Sequence, residues 1–111
     1  MVKDARTSLD AVFSALGDPT RRAILMRLEG GEASVGELAQ PFAISPPAIS
    51  RHLRVLEGAG LLSRRRDGRV RRCELNPEPM REAVEWIARY GRFWERELDS
   101  LDRHIASGGG S

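Results

Sequence analysis

The stretch that decides how the chain is read runs from Ile44 to Leu62, "ISPPAISRHLRVLEGAGLL". It is patterned as a helix, yet it opens on two adjacent prolines. Ser45 is the natural N-cap, and Pro46 and Pro47 then fill the first two helical positions, where a backbone amide has no intrahelical partner in any case. Their missing donors cost little there, so the prolines mark a start rather than an interruption. Ala48 becomes the first residue with an amide to offer, and Ser45 either caps that amide or turns its hydroxyl toward an anion. At about 100° per residue, Ile49, Leu53 and Leu56 gather on one side while Pro47, Ser50, Arg51 and Arg54 fall on the other. One face is core; the other is polar and cationic.

The charge around this helix sharpens the reading. The formal net charge of +2 hides an uneven distribution. Residues 1–44 carry five basic and six acidic side chains, residues 45–76 eight and three, and residues 77–106 five and seven. All eight cations of the middle third are arginines, the side chain suited to bidentate contact with phosphates and guanine edges. Directly after the helix, "LLSRRRDGRVRRCEL" has the marks of a β-hairpin, with Asp67-Gly68 as the two-residue turn signal. Arg64, Arg65, Arg66, Arg69, Arg71 and Arg72 surround its tip, and Cys73 with Leu75 shares the inner face of its second strand. A cationic hairpin following a helix with a cationic outer face suggests a wing that reaches DNA beside an inserted helix. His52 sits beside the helix's apolar group, as a packed helix histidine or as a DNA contact.

The remaining pattern is helical. "SLDAVFSALG" places Leu9, Val12, Phe13 and Leu16 on one face and stops at Gly17. In "DPTRRAILMRLEGG", Asp18 is an N-cap with Pro19 at the first helical position, Ile24, Leu25 and Leu28 form the buried face, and Gly30-Gly31 end it. "SVGELAQPF" reads as a short helix with Ser34 and Glu37 in capping-box spacing and Val35, Leu38 and Phe42 as core contacts. "NPEPMREAVEWIARYGRFWERELDSLDRHI" is a long helix beginning near Pro79. Met80, Val84, Ile87, Gly91, Trp94, Leu98, Leu101 and Ile105 recur in it at the spacing of a helix seam, widened by Trp86, Tyr90 and Phe93. That is more apolar surface than one small domain needs, and aromatic enrichment suits an interface core. Gly91 in the seam allows close helix approach. Leu9, Val12, Phe13, Leu16, Val84, Ile87, Tyr90, Gly91, Trp94, Leu98 and Leu101 are therefore assigned to dimerisation. An aromatic ligand pocket is the competing use of the same residues.

At 111 residues, a monomer buries only roughly 60–70% of its unfolded surface, which favours oligomerisation. The expected fold is mainly α with a small β-hairpin, one domain over residues 1–106. Residues 9–17 and 79–105 are its dimerisation helices, 34–58 the helix-turn-helix and 61–75 the wing. Residues 107–111, "SGGGS", read as a flexible linker-like tail outside the fold. With no long apolar run and no leader pattern, the chain is expected to be cytoplasmic with no membrane partner. A single cysteine, Cys73, excludes an intramolecular disulfide and a site built from several thiolates.

"FSALGDPTRRAILMRL" and "ISPPAISRHLRVLEGAGLLSRRRDGRVRRCELNPEPM" together closely resemble the winged helix-turn-helix repressors of the ArsR/SmtB family, over roughly residues 9–106. The resemblance implies that residues 46–57 form a recognition helix lying in the major groove. It further implies a homodimer that represses transcription of its own or a neighbouring operon at an inverted-repeat operator. On that reading Ser45, Pro46, Pro47, Ser50, Arg51 and Arg54 contact DNA from the helix, and Arg64, Arg65, Arg66, Arg69 and Arg71 from the wing. The prolines would offer apolar contact, as to a thymine methyl, and Ser45 and Ser50 would bind phosphates.

The family's metal sites do not carry over. Its pattern E-L-C-V-C-D-L corresponds here to "VGELAQPF", which has no cysteine. Asp102 and His104 match the D-x-H half of a second site on the C-terminal helix, but the H-x-x-E half is absent before Ser111, which leaves too few ligands. No metal and no cofactor are therefore expected. A thiol- or metal-responsive repressor using Cys73 or Asp102 and His104 is the alternative, a DNA-independent interaction module the less favoured one, and a small-molecule effector stays open. Catalysis is not expected: His52 and His104 lie on different helices without a nucleophile pattern, and "EGGEASVGE" lacks the lysine and threonine of a phosphate loop.

Overall fold

The computed structural model describes residues 5–108, with side chains over residues 9–106. Five helices and three strands follow in the order α1 (Ala5–Leu16), α2 (Pro19–Leu28), β1 (Ala33–Ser34), α3 (Val35–Ala39), α4 (Pro46–Gly58), β2 (Leu62–Asp67), β3 (Val70–Leu75) and α5 (Glu78–Gly108). The first helix starts at Ala5, four residues before the expected Leu9. The last runs through Gly108, two residues into the segment expected as a tail, and residues 109–111 of that segment lie outside the described residues. Among the described residues, no helix is long and apolar enough to cross a membrane.

Local chemistry sets most of the helix starts. The Asp18 carboxylate accepts from the Arg21 amide at 3.1 Å ahead of Pro19. Ser34 and Glu37 close a reciprocal capping box: Ser34 Oγ accepts from the Glu37 amide at 3.1 Å, and Glu37 Oε1 from the Ser34 amide at 2.9 Å. Ser45 Oγ accepts from the Ala48 amide at 3.4 Å, so this serine does cap the first amide the two prolines leave available. Helix α4 ends in a Schellman arrangement, Leu61 N to Leu56 O at 3.0 Å and Gly60 N to Glu57 O at 2.9 Å. Gly60 takes φ +77°, which only glycine adopts without strain. Its carbonyl then accepts from Asn76 Nδ2 at 2.8 Å, tying the helix end to the foot of the hairpin.

The sheet has the order β1-β3-β2 and is antiparallel throughout. The hairpin turn differs from the sequence reading by one residue. Asp67 pairs with Val70, so the loop is Gly68-Arg69 rather than Asp67-Gly68. Gly68 has φ +64° and, among the described residues, no non-glycine residue has positive φ, which is the requirement of a type II′ turn with glycine first. Strand β1 was not anticipated: two residues carry no periodicity, and Ala33 and Ser34 become a strand only by pairing with Cys73 and Arg72.

Buried residues from every layer meet in one core: Val12 and Ala15 of α1, Ile24 and Leu28 of α2, Ala33, Leu38 of α3, Ile49, Leu53 and Leu56 of α4, Leu61, Leu62, Cys73 and Ala83. Leu25, Val35, Phe42 and Met80 pack against its margin. Three of the fully buried side chains come from α4 alone, so this helix is seated along its whole apolar edge.

Two consequences are measurable. Leu53→Ala removes a fully buried side chain and should lower stability by about 2–5 kcal/mol in urea unfolding. Glu37 and Asp18 have carboxyls held below the ordinary range, Glu37 by the backbone and side-chain hydrogen bonds of Ser34 and Asp18 by the Arg21 amide. Their unfolded forms bind protons at higher pH than their folded forms, so their contribution is complete above the ordinary carboxylate range and lost as pH falls through the lowered folded values. The double variant Glu37→Gln, Asp18→Asn should therefore show a shallower decline of melting temperature below about pH 4 than the parent chain.

Candidate nucleic-acid interface

Seating Ile49, Leu53 and Leu56 in the core turns the opposite edge of α4 outward. Ser45, Pro46, Pro47, Arg51 and Arg54 are exposed, and Ser50 is half-buried. Arg51 and Arg54 make no ion pair among the described residues, which leaves both guanidinium groups open to an external acceptor. Ser50 faces an open hollow of about 400 Å³ that it shares with Ser34, Val35, Gly36, Arg64, Arg69, Val70 and Arg71. The hollow lies between the start of α3, the middle of α4 and the wing, so helix and hairpin present one continuous polar surface.

His52 belongs to the other side. Its Nδ1 stands 3.4 Å from Arg21 Nη1 and 3.9 Å from Asp18 Oδ2, so the ring is packed against the start of α2 rather than turned outward. Arg21 donates from Nε to the Ala15 carbonyl at 2.8 Å and from Nη2 to the Ser14 carbonyl at 3.0 Å, and Arg22 donates to the Leu16 carbonyl at 2.7 Å. The two arginines of "PTRR" thus satisfy the open carbonyls at the end of α1, a role no local sequence signal assigns.

The wing arginines, grouped together in the sequence, separate into two sets. Arg64 lies against α4 with Nη2 2.8 Å from Glu57 Oε1, and its side chain is only 19% exposed. Arg65 donates to both carboxylate oxygens of Glu32, at 3.0 and 2.8 Å. Arg72 reaches Asp67 at 3.3 Å and Glu32 at 3.9 Å. Hydrogen bonding to Glu57 and to Glu32 raises the pKa of Arg64 and of Arg65 above the ordinary arginine value. Such exposed pairs add little stability, but they fix where a long side chain points. Arg66, Arg69 and Arg71 are exposed, and their side chains make no hydrogen bond or ion pair with the described residues. Of the wing arginines expected to contact DNA, Arg64 and Arg65 are thus paired within the chain, by Glu57 and Glu32, whereas Arg66, Arg69 and Arg71 are not.

Cys73 is fully buried beside Ala33 and Arg64, and burial pushes its thiol pKa up, the reverse of what a reactive thiolate requires. Asp102 and His104 are exposed on α5, and among the described residues no three His, Cys, Asp or Glu side chains gather as a metal site would need.

Of the residues assigned to dimerisation, Val12 is 0% exposed and lies wholly in the monomer's own core, so it has no surface to give a partner. Leu9 and Leu16 pack against the same core and are only partly exposed, and Gly91 is half-buried. Phe13 turns instead toward α5, where its ring meets Trp86 at 5.8 Å edge-on, and Trp86 meets Tyr90 at 4.9 Å. Val84, Ile87, Tyr90, Trp94, Leu98 and Leu101 remain exposed along α5, with Trp94 at 57%.

Comparison with known proteins agrees with this architecture. A family model described as a helix-turn-helix domain matches residues 16–65. The chain is 38% identical over 90 residues to the transcriptional repressor SdpR of Bacillus subtilis (strain 168), covering 81% of this chain and 100% of SdpR. It is 40% identical over 102 residues to the HTH-type transcriptional regulator Rv2034 of Mycobacterium tuberculosis, covering 92% of each chain. Among solved structures, an ArsR family transcriptional regulator, RHA00566, aligns with a TM-score of 0.76 at 40% identity over 86% of this chain and 97% of that one. These are regulators of transcription rather than enzymes. The α3–α4 pair, the arginine wing and these relatives together place the chain in the ArsR family of winged helix-turn-helix transcriptional repressors.

Proposed function

We propose that the chain acts in the cytoplasm as a homodimeric repressor of its own or a neighbouring operon, binding an inverted-repeat operator with α4 of each protomer in successive major grooves. The observation that carries this reading is the division of α4 into a fully seated apolar edge and an outward edge bearing Ser45, Ser50, Arg51 and Arg54. A helix held rigidly on one side and left polar on the other can enter a groove without unfolding any of its supports. Two such helices related by a twofold axis read half-sites about 34 Å apart. The exposed apolar side of α5, from Val84 to Leu101, supports α5 as the surface joining the protomers, because leaving that much apolar area in water is unfavourable.

Within the interface, Arg51 and Arg54 approach base edges, Ser45 and Ser50 the phosphates, and Pro46 and Pro47 pack against the bases' apolar atoms. The capping bond from Ala48 to Ser45 uses one lone pair of the serine oxygen and leaves its hydrogen free to donate to a phosphate. The wing extends the contact along the backbone or into the minor groove. Retarded migration of a duplex carrying the promoter upstream of its own gene, but not of a scrambled duplex, is the direct test. No retardation of either duplex would refute the reading.

Arg51→Ala should cost about 1–3 kcal/mol of discrimination against the wrong base in competition with scrambled duplex. Arg69→Ala should weaken all sequences alike, and equal losses of specificity from both would abolish the division of roles. Trp94→Glu replaces an exposed side chain, so the protomer should still fold. It should sediment as a monomer and bind the operator more than about tenfold less tightly; an intact dimer would remove α5 from the interface.

A further inference from the structure

The hairpin register sets two arginine pairs directly across from one another, Arg65 opposite Arg72 and Arg66 opposite Arg71. Like charges in directly opposed positions destabilise a sheet unless something compensates them. The first pair is compensated: Glu32 bonds Arg65 with both oxygens and lies 3.9 Å from Arg72, which also pairs with Asp67. The second pair is not. Arg66 and Arg71 meet no carboxylate among the described residues, and Arg69 in the adjoining turn adds a third uncompensated cation. Arg66 and Arg71 share one hollow with the paired Arg64 and Arg65, and Arg69 and Arg71 line, again with Arg64, the one that leads to Ser50 on α4.

We infer that the wing is divided into a brace and a clamp. Arg65 and Arg72 with Glu32, and Arg64 with Glu57, tie the hairpin to the body and set its angle over α4. Of the wing arginines, Arg66, Arg69 and Arg71 alone take the DNA phosphates. The inference rests on the DNA-binding reading and assigns each arginine a distinct part in it. Glu32 and Arg65 are positioning residues: they act on DNA only by aiming the clamp. Glu57 does the same from α4 itself, so the angle between wing and recognition helix is fixed at both faces of the hairpin, through Arg64 on one and Arg65 on the other.

Counterion release separates brace from clamp, because a side chain that neutralises a phosphate contributes to the dependence of log affinity on log salt and a positioning side chain does not. The measurement is fluorescence-anisotropy binding of the full chain to a labelled mixed-sequence duplex between about 50 and 200 mM salt. Arg66→Ala, Arg69→Ala and Arg71→Ala should each flatten the slope by about 0.9. Arg65→Ala should lower affinity with the slope unchanged, and the charge swap Glu32→Arg with Arg65→Glu should recover most of the affinity that Arg65→Glu alone loses. A slope flattened by Arg65→Ala as much as by Arg69→Ala would overturn the division. So would a swap no better than Arg65→Glu alone, or an Arg65→Ala chain that binds as well as its parent. A parent chain that does not bind the duplex at any salt would overturn the DNA-binding reading itself, a result distinct from these.

Discussion

Everything on the outward edge of α4 depends on one constraint, the burial of Ile49, Leu53 and Leu56 from a single helix into a core to which all the other layers contribute. Burying an apolar side chain of this size contributes roughly 1.5–3 kcal/mol, so three in a row along α4 hold its rotation about its own axis firmly. Once that rotation is set, the outward direction of Ser45, Arg51 and Arg54 follows from helix geometry alone. The caps at either end complete the placement: Ser45 fixes where the helix begins, and the Schellman turn at Gly60 fixes where the chain leaves for the hairpin.

The wing depends on a different balance. Its root is covered by Leu62, Cys73 and Leu75, but its tip has nothing apolar to hold it beyond a half-exposed Val70. Orientation there passes to charge. Glu57 and Glu32 approach the hairpin from α4 and from the segment before β1, and each secures one arginine on a different face. Weak exposed pairs suit this task, since they direct long side chains without needing an apolar core at the tip.

How much was legible before the fold was known follows from the range of each interaction. The caps at Asp18, Ser34 and Ser45 span three residues and were read correctly, as were the buried edge of α4 and the existence of the hairpin. The turn was misplaced by one residue because Asp-Gly is the signal of a type I′ turn, whereas the register closes on Gly68-Arg69 with positive φ at glycine only. Val12 was assigned to a partner because helical periodicity cannot tell a face buried by the same chain from one left for another. The apolar face of α1 is wide, and only packing shows that Val12 and Ala15 turn inward while Phe13 turns to Trp86.

The sequence by itself determined where α2, α3 and α4 begin, which edge of α4 is apolar, and that arginine dominates the middle third, because these depend on neighbours a few positions apart and on composition. Only the tertiary structure decided which arginines are free. Glu57 lies seven residues from Arg64, and Glu32 lies 33 residues from Arg65. Glu57 and Arg64 meet because α4 ends and the chain turns into β2 between them, and Glu32 and Arg65 because α3, α4 and the start of the wing fold between them.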